Sequence, residues 1–242
     1  MMKTALILGV GLPEGIGGAT AMKFSQEGLH VIIAGRSKEK LRATSEIIKF
    51  NGMSVEESIC DVTSEADLDA VFAQVKSRSS PLAAVIYNAG NNAPIPFENL
   101  TAKQFESYWR VCCLGGFLTA KRALPILAKQ GMGSIFFTGA SGSLRGKTDF
   151  AHFSSAKGAL RNLAQALARD YGPKGVHVAH LIIDGLVNGH QGRSRFGGFL
   201  DNLGNDGALE PDAIADAFWM LHSQKRSAWT HELDLRPYKE AW

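Results

Sequence analysis

Cysteine is scarce in this sequence. The 242 residues contain three, Cys60 and the adjacent pair Cys112 and Cys113, and none has a Cys-x-x-Cys spacing. An odd count without that spacing supports neither a disulfide framework nor a zinc site, and it is typical of a reducing compartment. We therefore expect no bound metal.

Long hydrophobic runs and blocks of like charge are also missing. The apolar run at 4–8 is too short to span a membrane, and no signal-peptide cleavage pattern follows it. The 26 Lys and Arg are interleaved with 23 Asp and Glu, giving a formal net charge of +3. These absences predict a cytoplasmic protein without a membrane or nucleic-acid partner, whereas a small anionic ligand remains compatible.

Repeats, low-complexity segments and an interdomain linker are absent as well. A chain of this length with 45% hydrophobic residues can bury a sizeable core, so we predict a single domain over residues 1–242. Glycine, in contrast, is abundant, at 26 positions. Because each glycine weakens a helix or strand interior, their positions should mark where the backbone turns sharply or approaches a ligand.

Short apolar segments alternate with longer helical patterns along the chain. The predicted strands are 4–9, 30–34, 54–60, 82–87, 134–138, 176–183 and 229–235. The predicted helices are 17–27, 38–50, 64–76, 101–130 and 150–171. This alternation is typical of an α/β protein, a Rossmann-type doubly wound sheet of seven parallel strands with helices on both faces. The stretch 184–210 lacks clear periodicity, and we interpret it as a substrate loop or lid.

The first predicted strand leads into a glycine-rich turn that opens the first predicted helix. The turn contains Gly11, Leu12, Gly15, Ile16 and Gly17. Glycine lets the backbone approach a pyrophosphate, and the helix N-terminus supplies free N–H groups with a partial positive charge. A simple tight turn is the alternative. The strand-turn-helix context at the start of the chain favours a nucleotide site.

The end of the second predicted strand carries a basic residue, Arg36, followed by Lys38. An acidic residue there would favour a free ribose 2′-hydroxyl, whereas a guanidinium suits a 2′-phosphate. We therefore predict NADP(H) rather than NAD(H). The alternative is that Arg36 is only a solvated surface residue, and the negative charge of Glu14 in the glycine-rich turn would oppose a phosphate.

Two later strands also end in residues suited to a ligand. Asp61 and Val62 follow the third strand, and Asn88, Ala89 and Gly90 follow the fourth. Open α/β sheets bind ligands at the carboxyl ends of their strands. Each segment could be turn chemistry by itself, but their shared placement favours a common site.

These segments resemble the short-chain dehydrogenase/reductase family along nearly the whole chain. The spacing Gly-x-x-x-Gly-Ile-Gly at 11–17 matches that family's cofactor turn, 61–62 its adenine-contacting pair, and 88–90 its strand-four motif. Lys157 stands at the family's active-site lysine, which holds the nicotinamide ribose. The resemblance implies NAD(P) binding, a small-molecule substrate, and a homodimer or homotetramer.

The same resemblance implies cofactor contacts from Gly185 and Val187, after the sixth strand. It also exposes departures at the chemical centre. The family's tyrosine is Phe153 here, its serine is Ala140, its asparagine aligns with Cys112, and its proline-glycine is Asp184-Gly185. Because phenylalanine has no ionisable proton, it cannot serve a carbonyl or alcohol oxygen as acid or base.

Two hypotheses follow from these departures. In the first, the chain is an NADP(H)-dependent oxidoreductase for a carbonyl or alcohol, with Lys157, Ser141 and Asp184 at a non-standard proton-delivery site. Ser143 and His152 are further candidate donors. In the second, the chain binds NADP(H) without appreciable turnover, as a sensor, a ligand-binding protein or a partner subunit.

Overall fold

The computed structural model describes residues 2–90 and 92–240. The strands are β1 (Thr4–Leu8), β2 (His30–Gly35), β3 (Val55–Ile59), β4 (Leu82–Tyr87), β5 (Ser134–Thr138), β6 (His177–Ile183) and β7 (Glu232–Leu235). The helices are α1 (Ile16–Gln26), α2 (Lys38–Phe50), α3 (Glu65–Ser77), α4 (Ala102–Trp109), α5 (Gly115–Gln130), α6 (Ala151–Tyr171), α7 (His190–Leu203) and α8 (Pro211–His222).

The strands form one parallel sheet of seven, in the order β3-β2-β1-β4-β5-β6-β7. Five of them, β1, β2, β4, β5 and β6, are buried along their whole length. Their near-continuous apolar sequence matches burial on both faces, whereas the edge strands β3 and β7 carry partly exposed polar residues. The predicted fold class is confirmed.

Helices cover both faces of the sheet and bury two separate hydrophobic clusters. On one face, Leu118 and Leu124 of α5 and Leu160 of α6 pack against the strands. On the other, Phe24 of α1 and Phe218 of α8 do so. Burying such a side chain contributes about 1.5–3 kcal/mol. Both clusters lie between strand and helix, which leaves the carboxyl ends of the strands available for a ligand.

Side chains that cap helix N-termini set several boundaries. The Ser64 hydroxyl accepts a hydrogen bond from the backbone N–H of Asp67 and so caps α3. Ser37 caps α2 in the same way. Thr101 and Gln104 form a reciprocal capping box at the start of α4. Such a cap stabilises a helix by about 1 kcal/mol.

The predicted helix at 101–130 is interrupted by one π-helical turn, Arg110–Leu114. The fully buried Tyr87 hydroxyl donates to the Val111 carbonyl in this turn. Gly115 follows, and a Cβ there would collide with the Tyr87 oxygen. The whole run Ala102–Gln130 is long and apolar enough to cross a membrane, but 56% of its most apolar window is buried inside the fold. We interpret it as a core element.

The stretch 184–210 contradicts our expectation of a segment without regular structure. It contains α7, His190–Leu203, and α8 begins directly afterwards at Pro211. The helical pattern is obscured because α7 holds three glycines and has a non-helical residue, Phe196 (φ −136°, ψ 25°). Contacts elsewhere in the fold compensate, since the Arg195 guanidinium donates to the Asn92 carbonyl at 2.6 Å. A lid function for this segment stays a prediction.

Candidate active site

The glycine-rich turn is shaped by close backbone packing. Gly9 has a φ of +84° and lies against the backbone of Asn88 and Ala89, which leaves no room for a side chain. A Cβ on Gly17 would lie 2.8 Å from the Gly9 carbonyl oxygen. Gly11, in contrast, has no heavy atom within 4 Å of the position its Cβ would take. The turn is therefore tightly packed against the fold at Gly9 and Gly17 and open at Gly11.

The N-terminus of α1 faces this open side. Its N-cap is Gly15, which forms no side-chain cap, and the helix begins at Ile16. Leu12 is partly buried, and its carbonyl accepts the Gly15 N–H at 3.0 Å. The first N–H groups of a helix have no intrahelical acceptor, so an uncapped N-terminus fits an anion such as a pyrophosphate.

A chain of hydrogen bonds joins the turn to the centre of the sheet edge. Asn88 donates through Nδ2 to the Gly9 carbonyl at 3.2 Å, and its Oδ1 accepts from the Thr138 hydroxyl at 3.0 Å. The Thr138 carbonyl accepts from Lys157 Nζ at 2.7 Å. The structure thus brings Asn88 and Lys157 together, as predicted for one site. Thr138 is the link that sequence reasoning missed, although it ends a predicted strand.

A cavity of about 360 Å³ lies at the ends of β2 and β3. Its lining residues are Arg36, Asp61, Thr63, Lys103, Glu106, Ser107, Arg110 and Val111. Arg36 is exposed, and Asp61 Oδ1 accepts from the Thr63 backbone and hydroxyl at 2.9 and 2.8 Å. Val62 is buried beside it. The cavity has the position and polarity expected for the adenosine end of a dinucleotide, and its α4 wall was not predicted.

The predicted contacts from the end of β4 and from the segment after β6 reach the same edge. Gly90 lies beside Lys157, whose Nζ would be 3.5 Å from a Cβ at that position. Gly185 has a φ of +148°. Val187 forms a bridge with Leu209. A Cβ on Gly189 would lie 2.6 Å from the Glu14 carbonyl oxygen, so this segment packs against the glycine-rich turn.

Phe153 occupies the position expected for an acid-base residue. A Cβ on Gly142 would lie 3.1 Å from the Phe153 ring, and the ring centroid is 5.8 Å from Lys157 Nζ. Lys157 is only 4% exposed, and burial lowers the pKa of its ammonium. The thiols of Cys112 and Cys113, both buried, oppose that shift. Phe153 therefore adds an apolar surface and a cation–π contact, but no exchangeable proton.

The turn after β5 carries two serines, Ser141 and Ser143, close to Ala140, where the resemblance leads us to expect a serine. It is a short 3-10 helix, Ser141–Ser143, preceded by Ala140. Ser141 is partly buried, while Ser143 is 7% exposed and its oxygen accepts the Ala140 N–H at 3.1 Å. Ser143 Oγ also lies 3.4 Å from Nε2 of the buried His180.

His180 belongs to a buried polar chain that our sequence reasoning did not identify. Its Nδ1 lies 3.3 Å from Glu232 Oε2, and Arg161 donates to Glu232 at 2.6 and 2.8 Å. Burial and then the nearby charge of Lys157 lower the pKa of His180 to about 4. Two features of the sequence could have indicated this chain: a histidine, His180, inside the apolar strand β6, and a glutamate, Glu232, at the start of β7.

Asp184 lies at the carboxyl end of β6, as predicted, and is 2% exposed. Arg145 Nη2 approaches its two oxygens at 3.2 and 3.0 Å, and Arg236 Nη2 lies 3.1 Å away. Asp184 therefore lies in a buried contact with two guanidinium groups, and its role in proton delivery stays a prediction. His152 is fully buried, and its ring packs 4.2 Å from the ring of Tyr108 on α4. Burial lowers the pKa of His152.

Comparison with known families agrees with this architecture. Residues 3–191 match the model of the short chain dehydrogenase family. The chain also aligns over 73% of its length with "Oxidoreductase asL5" of Sarocladium schorii, at 35% identity and over 69% of that protein. This protein belongs to the short-chain dehydrogenase/reductase family.

Two solved structures show the same likeness over whole chains. A short-chain dehydrogenase from Rhodopseudomonas palustris is 34% identical, with a TM-score of 0.83 over 98% of this chain and 99% of that one. An alcohol dehydrogenase from the archaeon Thermococcus sibiricus, complexed with 5-hydroxy-NADP, is 26% identical. Its TM-score is 0.87, over 100% of this chain and 99% of that one.

Proposed function

We propose that this protein is an NADP(H)-dependent oxidoreductase that acts on the carbonyl or alcohol group of a small molecule. The observation that carries the proposal is the hydrogen-bonded path from the Gly9 carbonyl through Asn88 and Thr138 to Lys157. This path links an open phosphate-binding turn to a buried ammonium group. A nicotinamide cofactor bound along this edge supplies hydride chemistry, while the protein supplies position and charge.

The preference for NADP(H) rests on Arg36. Its guanidinium is exposed at the rim of the cavity between the ends of β2 and β3, where the adenosine ribose would lie. Two further lining residues, Lys103 and Arg110, are positively charged. The cavity also contains two acidic residues, Asp61 and Glu106. The Thermococcus sibiricus relative is complexed with an NADP derivative, which supports the same cofactor type here.

Proton delivery must differ from that of a tyrosine-dependent site, because Phe153 has no hydroxyl. We propose Ser141 as a donor, since it lies partly exposed on the turn that replaces the missing serine. Lys157, beside Phe153, would hold the nicotinamide ribose. Asp184 stays in the proposal as a candidate donor, because it is buried at the carboxyl end of β6, in contact with Arg145 and Arg236.

A second candidate function is NADP(H) binding without turnover, as a sensor, a ligand-binding protein or a partner subunit. The observation in its favour is the combination of Phe153 and Ala140, which removes both hydroxyl groups on which the family's chemistry depends. The glycine-rich turn and Lys157 are compatible with either function. The two candidates therefore share a cofactor and differ in turnover.

One paired experiment separates the candidates. NADPH and NADH binding are measured by fluorescence titration, and a panel of aldehydes, ketones and quinones is then assayed by cofactor oxidation. Tighter NADPH binding together with turnover of any panel member supports the oxidoreductase. Binding without turnover across the panel favours the second function, and a preference for NADH contradicts the role of Arg36.

We also propose that the protein is a cytoplasmic homodimer or homotetramer. Phe105 and Trp109 of α4 and Phe117 of α5 are large apolar residues with 38%, 36% and 43% exposure, which suits a surface shared between copies. Light scattering coupled to size exclusion gives the oligomer mass. A monomeric mass at micromolar concentration would contradict the proposed homodimer or homotetramer.

A further inference from the structure

A buried chain of polar side chains holds the turn after β5. The proposed reaction assigns no role to the members of this chain. The chain runs from Ser143 on the turn to His180 on β6, then to Glu232 on β7 and Arg161 on α6. His180 is fully buried, whereas Glu232 and Arg161 reach the surface with side chains 26% and 31% exposed. A polar chain of this kind is costly to bury unless its members satisfy one another.

The contacts favour one protonation state of His180. Its Nδ1 lies 3.3 Å from Glu232 Oε2, a charge contact without hydrogen-bond geometry. Because the carboxylate attracts a proton on Nδ1, we assign the ring proton there, which leaves Nε2 as an acceptor. The Ser143 hydroxyl lies 3.4 Å from that Nε2 and can donate to it. Burial and the Lys157 charge on α6 keep the ring neutral at neutral pH. Arg161 holds the carboxylate with two hydrogen bonds.

The geometry of the turn depends on this neutral ring. While its hydroxyl proton points to His180, Ser143 Oγ accepts the Ala140 N–H at 3.1 Å and so closes the turn. The His180 ring also fills the space in which a side chain at residue 139 would lie, and Gly139 has no room for a Cβ because of that ring. The His180 ring therefore packs against Gly139 and contacts Ser143, which holds the segment 139–143 in place.

We propose that His180 is a positioning residue of the candidate active site. It acts through Ser143 to hold the turn that carries Ser141, while Glu232 and Arg161 fix the orientation of the imidazole. The inference rests on the proposed oxidoreductase function for its catalytic consequence. The positioning itself is a property of the folded chain and can be measured without turnover.

The principal test compares His180→Phe and Ser143→Ala with a matched control, His177→Phe. His177 is the first residue of the same strand, at its amino end and away from the candidate site. It is 4% exposed and contacts the Thr230 carbonyl. We expect kcat to fall at least about tenfold in the first two variants, with KM and the NADPH Kd within about threefold. His177→Phe should lower the unfolding temperature without changing kcat.

Coupling between the two residues gives a second readout. Because His180 acts through Ser143, the double variant should lose no more kcat than the worse single variant. His180→Gln offers an amide oxygen to the Ser143 hydroxyl and should recover part of the loss. Multiplicative losses in the double variant would show independent roles and overturn the proposal. So would an equal loss of kcat in His177→Phe.

Amide hydrogen exchange over residues 139–143 separates failure of the positioning from failure of the proposed function. Exchange should rise about tenfold in His180→Phe and Ser143→Ala and stay unchanged in His177→Phe. If it does so while the wild type turns over no substrate, the proposed reaction fails and the positioning holds. Unchanged exchange in Ser143→Ala, which removes only one oxygen, overturns the positioning even if His180→Phe does not fold.

Discussion

The carboxyl edge of the sheet has two halves that differ in how they are built. The cofactor half, at the ends of β1 to β4, is defined by backbone. Glycines at 9 and 17 allow the chain to pack closely, and an uncapped helix N-terminus faces outward. The candidate catalytic half, at the ends of β5 to β7, is defined by side chains, and there Phe153 and Ala140 stand where the resemblance leads us to expect hydroxyl groups.

The difference shows which parts of such a site can change. A backbone cradle fails when Gly9 or Gly17 gains a side chain, because the Cβ at either position meets main-chain atoms. A set of catalytic side chains, in contrast, can be replaced by other residues without loss of the fold. The candidate catalytic half contains a compact polar chain through His180 and Glu232, together with the ion pairs of the buried Asp184. It is therefore polar without a phenol at Phe153.

The largest expected effect tests the backbone half. In Gly17→Ala the new Cβ would lie 2.8 Å from the Gly9 carbonyl oxygen, so the turn must shift. We expect the NADPH Kd to rise about 100-fold, or roughly 2.7 kcal/mol, in a fluorescence titration. Gly172→Ala is the matched control, because nothing lies within 4 Å of its Cβ position. Equal binding by both variants would contradict the assignment of the turn.

A second effect, of about the same size, tests the side-chain half. Phe153→Tyr restores a phenol beside Lys157, whose Nζ lies 5.8 Å from the present ring centroid. If the rest of the site is competent, carbonyl reduction should rise about 100-fold, the usual contribution of a positioned acid. The assay is NADPH oxidation with the carbonyl panel, and Phe150→Tyr, three residues earlier, is the control. Unchanged turnover with intact NADPH binding would favour the binding-only function.

A smaller effect concerns the cofactor preference. Arg36→Ala removes the guanidinium at the rim of the adenosine cavity. We expect NADPH binding to weaken about tenfold, near 1.4 kcal/mol, with NADH binding unchanged. Arg42→Ala, an exposed arginine on α2 paired with Glu46, is the control. Parallel weakening of both cofactors in Arg36→Ala would show that the residue does not read the 2′-phosphate.

The smallest effect is a pH dependence of stability from the catalytic half. The pKa of His180 is lowered from 6.5 to about 4 by burial first and by Lys157 next. Between those values the unfolded chain binds a proton that the native state does not, so stability is lost as pH falls. His180→Phe should reduce the slope of the free energy of unfolding by up to about 1.4 kcal/mol per pH unit. Urea unfolding measures it, with the exposed His190→Phe as control.

Much of the fold was predictable because its signals are local. Apolar strand runs and helix caps predict parallel strands and helix boundaries without knowledge of distant residues. The glycine spacing at 11–17 predicts a phosphate turn in the same local way, and that assignment stays a prediction. The helix at 190–203 was not predictable in this way. Its glycines weaken the periodic pattern, and bonds such as Arg195 to the Asn92 carbonyl stabilise it from outside.

By itself, the sequence predicted the parallel sheet, a glycine-rich turn suited to a cofactor and a chemical centre without a phenol at Phe153, because each is a property of neighbouring residues. Only the tertiary structure decided which side chains meet at the chemical centre. Ser143, His180, Glu232 and Arg161 come from four separate elements, and parallel pairing of β6 with β7 places His180 opposite Glu232. Such contacts depend on strand order and register, which no local pattern encodes.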